Sequence, residues 1–346
     1  MSMIDSGRMA EATRLTRAGR LAEATALLRK ALGGGVAARP GDGWQGPTLD
    51  LEAEPLPDAS PNGAQWLTRS YANPFGRRDY RLFVPAETQG EPRPLLVMLH
   101  GCTQDPNDFA AGTGMNRLAS EAGLIVAYPG QSQAANAQRC WNWFEPTEQE
   151  RARGEPSLIA GITREVTRDH AVDASRVYIA GLSAGGAEAA VLASTYPDLY
   201  AAYGVHSGLA FGAARDVASA FQAMRQPAAG RPGTAGGKTV PVIVVHGDRD
   251  ATVHPGNGAA VIRQTVGTLE TAVERGRVPG GHAWTRTRHM APAGSTLAEH
   301  WQVHGLGHAW SGGDASGSYT DPRGPDASRA MLEFFLQHRS TSLDAG

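Results

Sequence analysis

One short segment constrains this chain more than any other. Residues 176–180 form an apolar run of mostly β-forming side chains that leads directly into a G-x-S-x-G motif at residues 181–185, and an alanine-rich helical pattern follows. A strand, a tight turn and a helix in that order are typical of a nucleophile elbow. The glycines on either side of Ser183 allow such a strained turn to close. The pattern therefore predicts that Ser183 is a nucleophile, and the alternative is an ordinary strand-to-helix turn.

Strand and helix patterns alternate along most of the chain, which indicates an α/β protein with a doubly wound, mostly parallel sheet. Apolar runs such as residues 94–100 are typical of parallel strands buried on both faces. This domain is expected to cover residues 66–346, with a cap or lid insertion at residues 213–238. The predicted strands are 67–72, 78–84, 94–100, 124–128, 176–180, 201–206, 240–246 and 297–303, and the predicted helices are 108–122, 157–170, 326–338 and the one after Ser183.

The chain before residue 66 has a different character. Residues 1–35 are predicted to be a helical segment, because leucine and alanine recur at three- and four-residue steps over residues 9–32. Residues 36–65 are rich in Pro, Gly and Asp and are predicted to be a linker or an extended arm. A single helix cannot bury its own apolar face, so we expect it to dock on the main domain or to drive assembly into a homo-oligomer.

Composition narrows the classes of partner. The 346 residues carry a formal net charge of −2 and show no basic stripe, which argues against nucleic acid as a partner. No run reaches the roughly eighteen apolar residues that a membrane-spanning helix requires. The N-terminus shows no standard secretory signal, which favours the cytoplasm by default unless export follows another route.

A serine hydroxyl becomes a strong nucleophile only beside a general base, and the base needs a carboxylate to orient it. Where a nucleophile elbow carries the serine, the acid and then the histidine follow it along the chain. Asp248 and Asp250 both follow the strand at 240–246, and Asp250 is favoured because it lies further into the loop. His304 and His308 follow the last predicted strand, and the small residues around His308 favour it as the base.

Acyl transfer also requires two amide donors that stabilise the developing oxyanion. One is expected from Ala184, directly after the serine. The other is expected from the loop after the strand at 94–100, where Cys102 is the first choice and Thr103 the second.

Two tryptophans and two cysteines lie in segments expected near this site. Trp141 and Trp310 are candidate substrate-binding residues, and a place in the hydrophobic core is an equal alternative for both. Cys102 and Cys140 are either free thiols, the default in a cytosolic protein, or a disulfide. Without a histidine cluster they do not make a zinc site, and neither a metal nor an organic cofactor is expected.

Together these motifs resemble those of the polyhydroxybutyrate depolymerase-like esterases of the α/β-hydrolase superfamily. The resemblance extends over residues 66–340 and rests on segments 99–104, 139–144, 173–186, 246–250 and 307–310. It implies an α/β-hydrolase fold with a triad of Ser183, Asp250 and His308. It also implies a disulfide between Cys102 and Cys140, an oxyanion amide near Cys102, and Trp141 beside the active site.

The sequence therefore predicts a serine esterase that hydrolyses short-chain carboxylic esters through an acyl-enzyme. Small esters and polyester oligomers, such as those of 3-hydroxybutyrate, are the expected substrates. Feruloyl and acetylxylan esterases share the same frame and are the alternative. A non-catalytic binding protein built on a hydrolase frame is the alternative from another class, and the complete set of Ser183, Asp250 and His308 argues against it.

Overall fold

The computed structural model describes residues 63–86, 91–231, 238–292 and 294–340. The helical segment predicted at 1–35 lies outside these residues. Its predicted role in self-association therefore stays a prediction. Almost all of the linker predicted at 36–65 lies outside them as well. The first described strand starts at Gln65.

The described residues contain twelve strands. They are β1 (Gln65–Asn73), β2 (Gly76–Val84), β3 (Arg93–Leu99), β4 (Ile125–Pro129), β5 (Val172–Leu182), β6 (Ala202–His206), β7 (Val242–Gly247), β8 (Glu270–Arg277), β9 (Ala283–Met290), β10 (Thr296–His304), β11 (Trp310–Ser311) and β12 (Thr320–Asp321). Ten of them form one sheet in the order β1-β2-β4-β3-β5-β6-β7-β10-β9-β8, and β11 pairs with β12 in a separate small sheet.

The middle of the large sheet is parallel, from β4 through β3, β5, β6 and β7 to β10. Both ends are antiparallel, because β1 and β2 form a hairpin at one end and β8 and β9 form another at the other end. The predicted mostly parallel sheet is therefore confirmed. The β8–β9 hairpin was not predicted, and it extends the sheet beyond the strand at 296–304.

Helices cover both faces of this sheet. They are α1 (Pro106–Thr113), α2 (Met115–Ala122), α3 (Gly154–Asp169), α4 (Ala184–Thr195), α5 (Val217–Arg225), α6 (Gly256–Val266) and α7 (Ala327–Leu336), with a short 3-10 helix at Pro146–Gln149. Successive side chains of a strand point to opposite faces. In β3, Leu95 and Val97 accordingly belong to the core shared with α3 to α6. Leu96 and Met98 belong to the core shared with α1, α2 and α7.

The single helix predicted at 108–122 is in fact two helices. Gly114 lies between them with φ 60°, a left-handed conformation that ends α1. Its amide donates to the carbonyls of Ala110 and Ala111, which satisfies two acceptors of the helix end. The apolar spacing continues across Gly114, so periodicity alone did not reveal the break.

The parallel strands place the predicted site residues at one edge of the sheet. The loop at 100–104 follows β3, Ser183 follows β5, Asp250 follows β7 and His308 follows β10. Because the carboxyl ends of parallel strands lie at the same edge, these loops converge. Within the described part of the chain, no helix combines the length and apolar character needed to cross a bilayer.

Candidate active site

Ser183 occupies a strained turn between β5 and α4. Its φ of 57° and ψ of −118° lie outside the conformations that side-chain-bearing residues usually adopt. The Ser183 amide donates to the His206 carbonyl at 2.8 Å, which ties the turn to the neighbouring strand. A Cβ on Gly185 would lie 2.1 Å from the Leu99 carbonyl oxygen, and one on Gly181 would lie 2.4 Å from the Gly185 backbone. The glycines of the motif are therefore required by close approach of the backbone.

Asp250 and His308 form a hydrogen-bonded pair. The Nδ1 atom of His308 lies 2.7 Å from Oδ2 of Asp250, whose side chain is fully buried. The other carboxylate oxygen accepts hydrogen bonds from the amides of Thr252 and Val253, each at 2.9 Å. Burial by itself raises the pKa of Asp250, but hydrogen bonds from His246 and His308 outweigh it and hold the pKa well below its usual range. Asp250 is therefore an ionised carboxylate that orients the imidazole.

His246 is a second histidine on the same carboxylate. Its Nε2 atom lies 3.3 Å from Oδ2 of Asp250 and 2.9 Å from the carbonyl oxygen of Val253. It is the penultimate residue of β7 and is buried. Sequence analysis did not identify this contact. Its spacing of four residues before the favoured acid was the available signal.

The competing residues form a separate pair. Asp248 and His304 are joined by a hydrogen bond of 2.9 Å, and both side chains are about two-fifths exposed, at 41% and 42%. The second ring nitrogen of His304 contacts Thr285 at 2.9 Å, so both nitrogens have partners. Neither residue lines the cavity that contains Ser183. By contrast, His308 lines that cavity, and its Nε2 atom has no hydrogen-bond partner among the described residues.

Two amides near Ser183 are free to bind an anion. In the described part of the chain, neither the amide of Cys102 nor that of Ala184 has a hydrogen-bond partner. The Ala184 amide is one of the unpaired donors at the start of α4. Thr103, the second choice for this role, instead donates its amide to the Gln138 carbonyl at 2.6 Å.

Cys102 and Cys140 form a disulfide, as the resemblance implied. The bond joins the loop after β3 to the long loop after β4, across a sequence separation of 38 residues. Both cysteines line the cavity beside Ser183. The disulfide therefore braces the loop that carries the Cys102 amide.

The cavity has a volume of about 510 Å³ and apolar walls. One wall is a face of α5, where Val217, Ala220, Phe221 and Met224 follow each other at helical spacing. The described residues that line it include no Asp, Glu, Lys or Arg. Nor do the described residues contain a cluster of His, Cys, Asp and Glu that could hold a metal ion. The cavity suits an uncharged, largely apolar group.

Residues 78–275, more than half of the chain, match the family model described as Esterase PHB depolymerase. The chain belongs to the esterase PHB depolymerase family. The matched region includes Ser183 and Asp250, whereas His308 lies beyond it.

Two curated proteins show the range of this family's relatives. Over 228 residues the chain is 32% identical to poly(3-hydroxyalkanoate) depolymerase C of Paucimonas lemoignei, which covers 62% of this chain and 54% of that protein. Over 157 residues it is 33% identical to feruloyl esterase B of Thermothelomyces thermophilus, which covers 45% of this chain and 52% of that protein. The chain thus spans about half the length of these relatives.

The fold agrees with that of a solved esterase structure. An acetyl xylan esterase from Aspergillus awamori superimposes with a TM-score of 0.61 at 19% identity, covering 79% of this chain and 99% of that one. At this identity the likeness concerns the fold alone. It confirms the α/β-hydrolase fold predicted for this family member.

Two residues predicted to bind substrate lie in the core instead. Trp141 is fully buried, and its Nε1 atom donates to the His100 carbonyl at 3.0 Å. Trp310 is 1% exposed, stacks on His206 with ring centroids 4.9 Å apart, and donates to Ser328. Neither side chain lines the cavity, which favours the core alternative for both residues. The aromatic walls come instead from Trp143, Phe144, Phe221 and Tyr319.

Two buried histidines support the site without facing the cavity. His100 accepts the Gln131 amide at Nε2, and burial lowers its pKa to about 4. His206 accepts the Ser311 amide at Nε2, and burial, with His246 and His308 nearby, places its pKa well below the ordinary value. Both rings are therefore neutral and serve as hydrogen-bonding supports.

Proposed function

We propose that this protein is a serine ester hydrolase whose triad consists of Ser183, His308 and Asp250. The observation that carries the proposal is a single cavity lined by both Ser183 and His308, with the free Nε2 atom of His308 opposite its bond to Asp250. A strained serine and a carboxylate-oriented histidine are the parts that nucleophilic acyl transfer requires. The named relatives, a depolymerase and a feruloyl esterase, act on esters, which supports the same conclusion.

The first step is attack of Ser183 on the ester carbonyl carbon. As the new C–O bond forms, Nε2 of His308 takes the hydroxyl proton, and Asp250 stabilises the resulting imidazolium. The carbonyl oxygen becomes an oxyanion, to which the amides of Cys102 and Ala184 donate hydrogen bonds. Loss of one such donor typically costs about 3 kcal/mol in the barrier.

The second half of the reaction releases the acyl group. His308 returns its proton to the leaving alkoxide, the alcohol departs, and an ester of Ser183 remains. Water then attacks this acyl-enzyme while His308 takes a proton from it. Collapse of the second oxyanion breaks the bond to Ser183, which regains its proton, and the carboxylic acid leaves.

The apolar cavity supports short-chain acyl groups as substrates. Its volume of about 510 Å³ exceeds what an acetyl group needs, and its lining of uncharged residues favours neutral esters. Oligomers of 3-hydroxybutyrate fit this description. The aromatic walls from Trp143 and Phe144 suit a feruloyl group equally, so a feruloyl esterase is the second candidate.

The test compares wild type with Ser183→Ala on 4-nitrophenyl esters of two to twelve acyl carbons. Ser183→Ala is expected to lower kcat by about 10⁴-fold or more, the size of effect seen when a triad nucleophile is lost. Wild type is expected to prefer short chains and to be labelled at Ser183 by a fluorophosphonate.

The matched control is Ser194→Ala, which removes a hydroxyl from the same helix, α4, away from the cavity. It should retain wild-type rates. If Ser183→Ala keeps most of the activity, the serine mechanism is wrong. Fluorophosphonate labelling that avoids Ser183 would favour the non-catalytic alternative.

A further inference from the structure

Tyr319 stands at the cavity in a strained conformation. The residue is 47% exposed and lines the cavity together with Ser183 and His308. Its backbone has φ 52°, although it is not a glycine, and its carbonyl accepts the Trp310 amide at 2.6 Å. Such left-handed conformations cost free energy in residues with side chains and cluster at functional sites. Nothing in the sequence pattern had singled out this residue.

The Tyr319 hydroxyl contacts a second strained residue. Its Oη atom lies 3.2 Å from Oγ1 of Thr103, whose φ is 66°. Thr103 Oγ1 donates its one proton to the Cys102 carbonyl at 2.6 Å. The tyrosine must therefore be the donor in the Tyr319–Thr103 hydrogen bond. The hydrogen bond thus joins two strained residues from separate loops and fixes the direction of the phenol.

This proton arrangement leaves the Tyr319 oxygen as an acceptor. Its only proton goes to Thr103, and no other described residue hydrogen-bonds to its oxygen. A hydroxyl that donates is a better acceptor in turn, because hydrogen bonds in a chain polarise one another. The oxygen is therefore ready to accept a hydrogen bond from a donor inside the cavity.

Two of the polar side chains that line the cavity, Gln104 and Asn136, are already engaged. Gln104 accepts the Gly101 amide and donates to Asp108 and Ser318. Asn136 accepts the Gln138 and Cys140 amides through its side-chain oxygen. A substrate donor that entered this apolar cavity would need a partner, because burial of an unpaired polar group is unfavourable.

We propose that Tyr319 accepts a hydrogen bond from a hydroxyl group on the acyl part of the substrate, an inference that rests on the proposed ester hydrolysis. Tyr319 is in this view a specificity-determining residue that selects hydroxylated acyl groups. Aliphatic hydroxyacyl groups and phenolic hydroxycinnamoyl groups share this chemistry, whereas an acetyl group has no such donor.

The test uses two pairs of 4-nitrophenyl esters that differ only in the hydroxyl group. One pair is the 3-hydroxybutyrate and the butyrate, and the other is the 4-hydroxy-3-methoxycinnamate and the 3-methoxycinnamate. The ratio of kcat/KM for the hydroxylated ester to that for its partner is measured in wild type and in Tyr319→Phe. Tyr319→Phe is expected to lower this ratio about fivefold in at least one pair, the effect of one uncharged hydrogen bond. The sensitive pair identifies the aliphatic or the phenolic source.

The matched control is Tyr203→Phe. Tyr203 lies outside the cavity, and its hydroxyl is 2.6 Å from Oγ1 of Thr265. The control substitution therefore also removes a tyrosine–threonine hydrogen bond. Its ratios should equal those of wild type. Unchanged ratios in both pairs for Tyr319→Phe would overturn the proposal, as would an equal fall in Tyr203→Phe or a wild type that hydrolyses no ester of either pair.

The same assay separates this proposal from the proposed function. If Ser183→Ala is inactive while Tyr319→Phe keeps the wild-type ratios, only the hydroxyl recognition is wrong. If Ser183→Ala stays active, the serine mechanism is wrong, and the Tyr319→Phe ratios still report on hydroxyl recognition.

Discussion

At the scale of single residues, the Asp250 carboxylate is contacted by four N–H donors. The Thr252 and Val253 amides bind one oxygen, and His308 and His246 approach the other at 2.7 and 3.3 Å. The carboxylate therefore cannot turn without breaking several hydrogen bonds at once. Because it sets the angle of the His308 ring, each of these donors contributes to the geometry of the proposed base.

His246→Leu is expected to lower kcat by about 10- to 100-fold, because small misplacements of a reacting group have effects of this size. KM should change much less, since His246 does not line the cavity. Steady-state kinetics on a short-chain 4-nitrophenyl ester measures both quantities. His246→Gln retains an N–H donor at a similar reach and should recover a large part of kcat. A wild-type kcat in His246→Leu would show that the second histidine has no positioning role.

Sequence reasoning identified candidate residues best where chain order and chemistry coincide. Asp250 could be preferred over Asp248 from its depth in the loop, and the structure pairs it with His308. For Trp141 and Trp310 the sequence left cavity and core as equal alternatives, and the reason is physical. Whether an aromatic ring points to a cavity or to the core depends on packing against distant elements, and Trp310 packs against Phe109 and His206. No local pattern around Trp310 contains that information.

At the scale of elements, the disulfide fixes two loops that have no regular structure of their own. Closing a loop of 38 residues stabilises a folded protein by about 4 kcal/mol in the chain-entropy model. The disulfide also lies beside the Cys102 amide, so its loss should affect both stability and the proposed oxyanion site.

Reduction with a phosphine is expected to lower the free energy of unfolding by about 2–4 kcal/mol, as measured by urea denaturation. It should also lower kcat on short-chain esters, because the Cys102 loop loses its tie to the loop after β4. The double variant Cys102→Ala/Cys140→Ala should match the reduced wild type and should not respond to the reductant. An unfolding midpoint that is the same with and without reductant in wild type would contradict this prediction.

The parallel strands at the centre of the sheet and their helices were predictable from the sequence. The antiparallel end formed by β8 and β9 was not. Buried parallel strands such as β3 and β7 are continuous apolar runs that stand out in the sequence. In β8 and β9 the exposed and half-buried positions carry Thr, Arg and Glu on both faces, so period-two alternation is weak. β9 pairs with both β8 and β10, its neighbours along the chain. The Pro-Gly-Gly segment at 279–281 is a turn signal, but the polar strands beside it offered no apolar pattern that would identify them as strands.

For the whole molecule, buried histidines make stability depend on pH. Burial, with His246 and His289 nearby, lowers the pKa of His300 to about 4, and burial lowers that of His100 to a similar value. The unfolded chain takes up a proton at each of these residues below about pH 6.5, while the folded chain does not until about pH 4. Their contribution to stability is therefore complete at neutral pH and is lost as the pH falls through this window.

The variant His300→Leu cannot take up a proton at this position, so one contribution to the pH dependence of stability is removed. Between pH 7 and pH 5, wild type is expected to lose about 2 kcal/mol more free energy of unfolding than the variant does. Urea denaturation at both pH values measures the difference, which is independent of any constant effect of the substitution. Equal losses in the two proteins would show that His300 takes up its proton equally in the folded and unfolded states.

The uncharged lining of the cavity has a consequence for what happens after hydrolysis. Under the proposed function an ester arrives neutral, but the acid that leaves is an anion at neutral pH, because carboxylic acids ionise near pH 4. The described lining offers that anion no Lys or Arg, and its walls are apolar. An anion in such surroundings loses its hydration without gaining an opposite charge. Ionisation of the carboxylic acid product therefore favours its release from the cavity. We expect accumulated product to compete poorly with the ester substrate for binding.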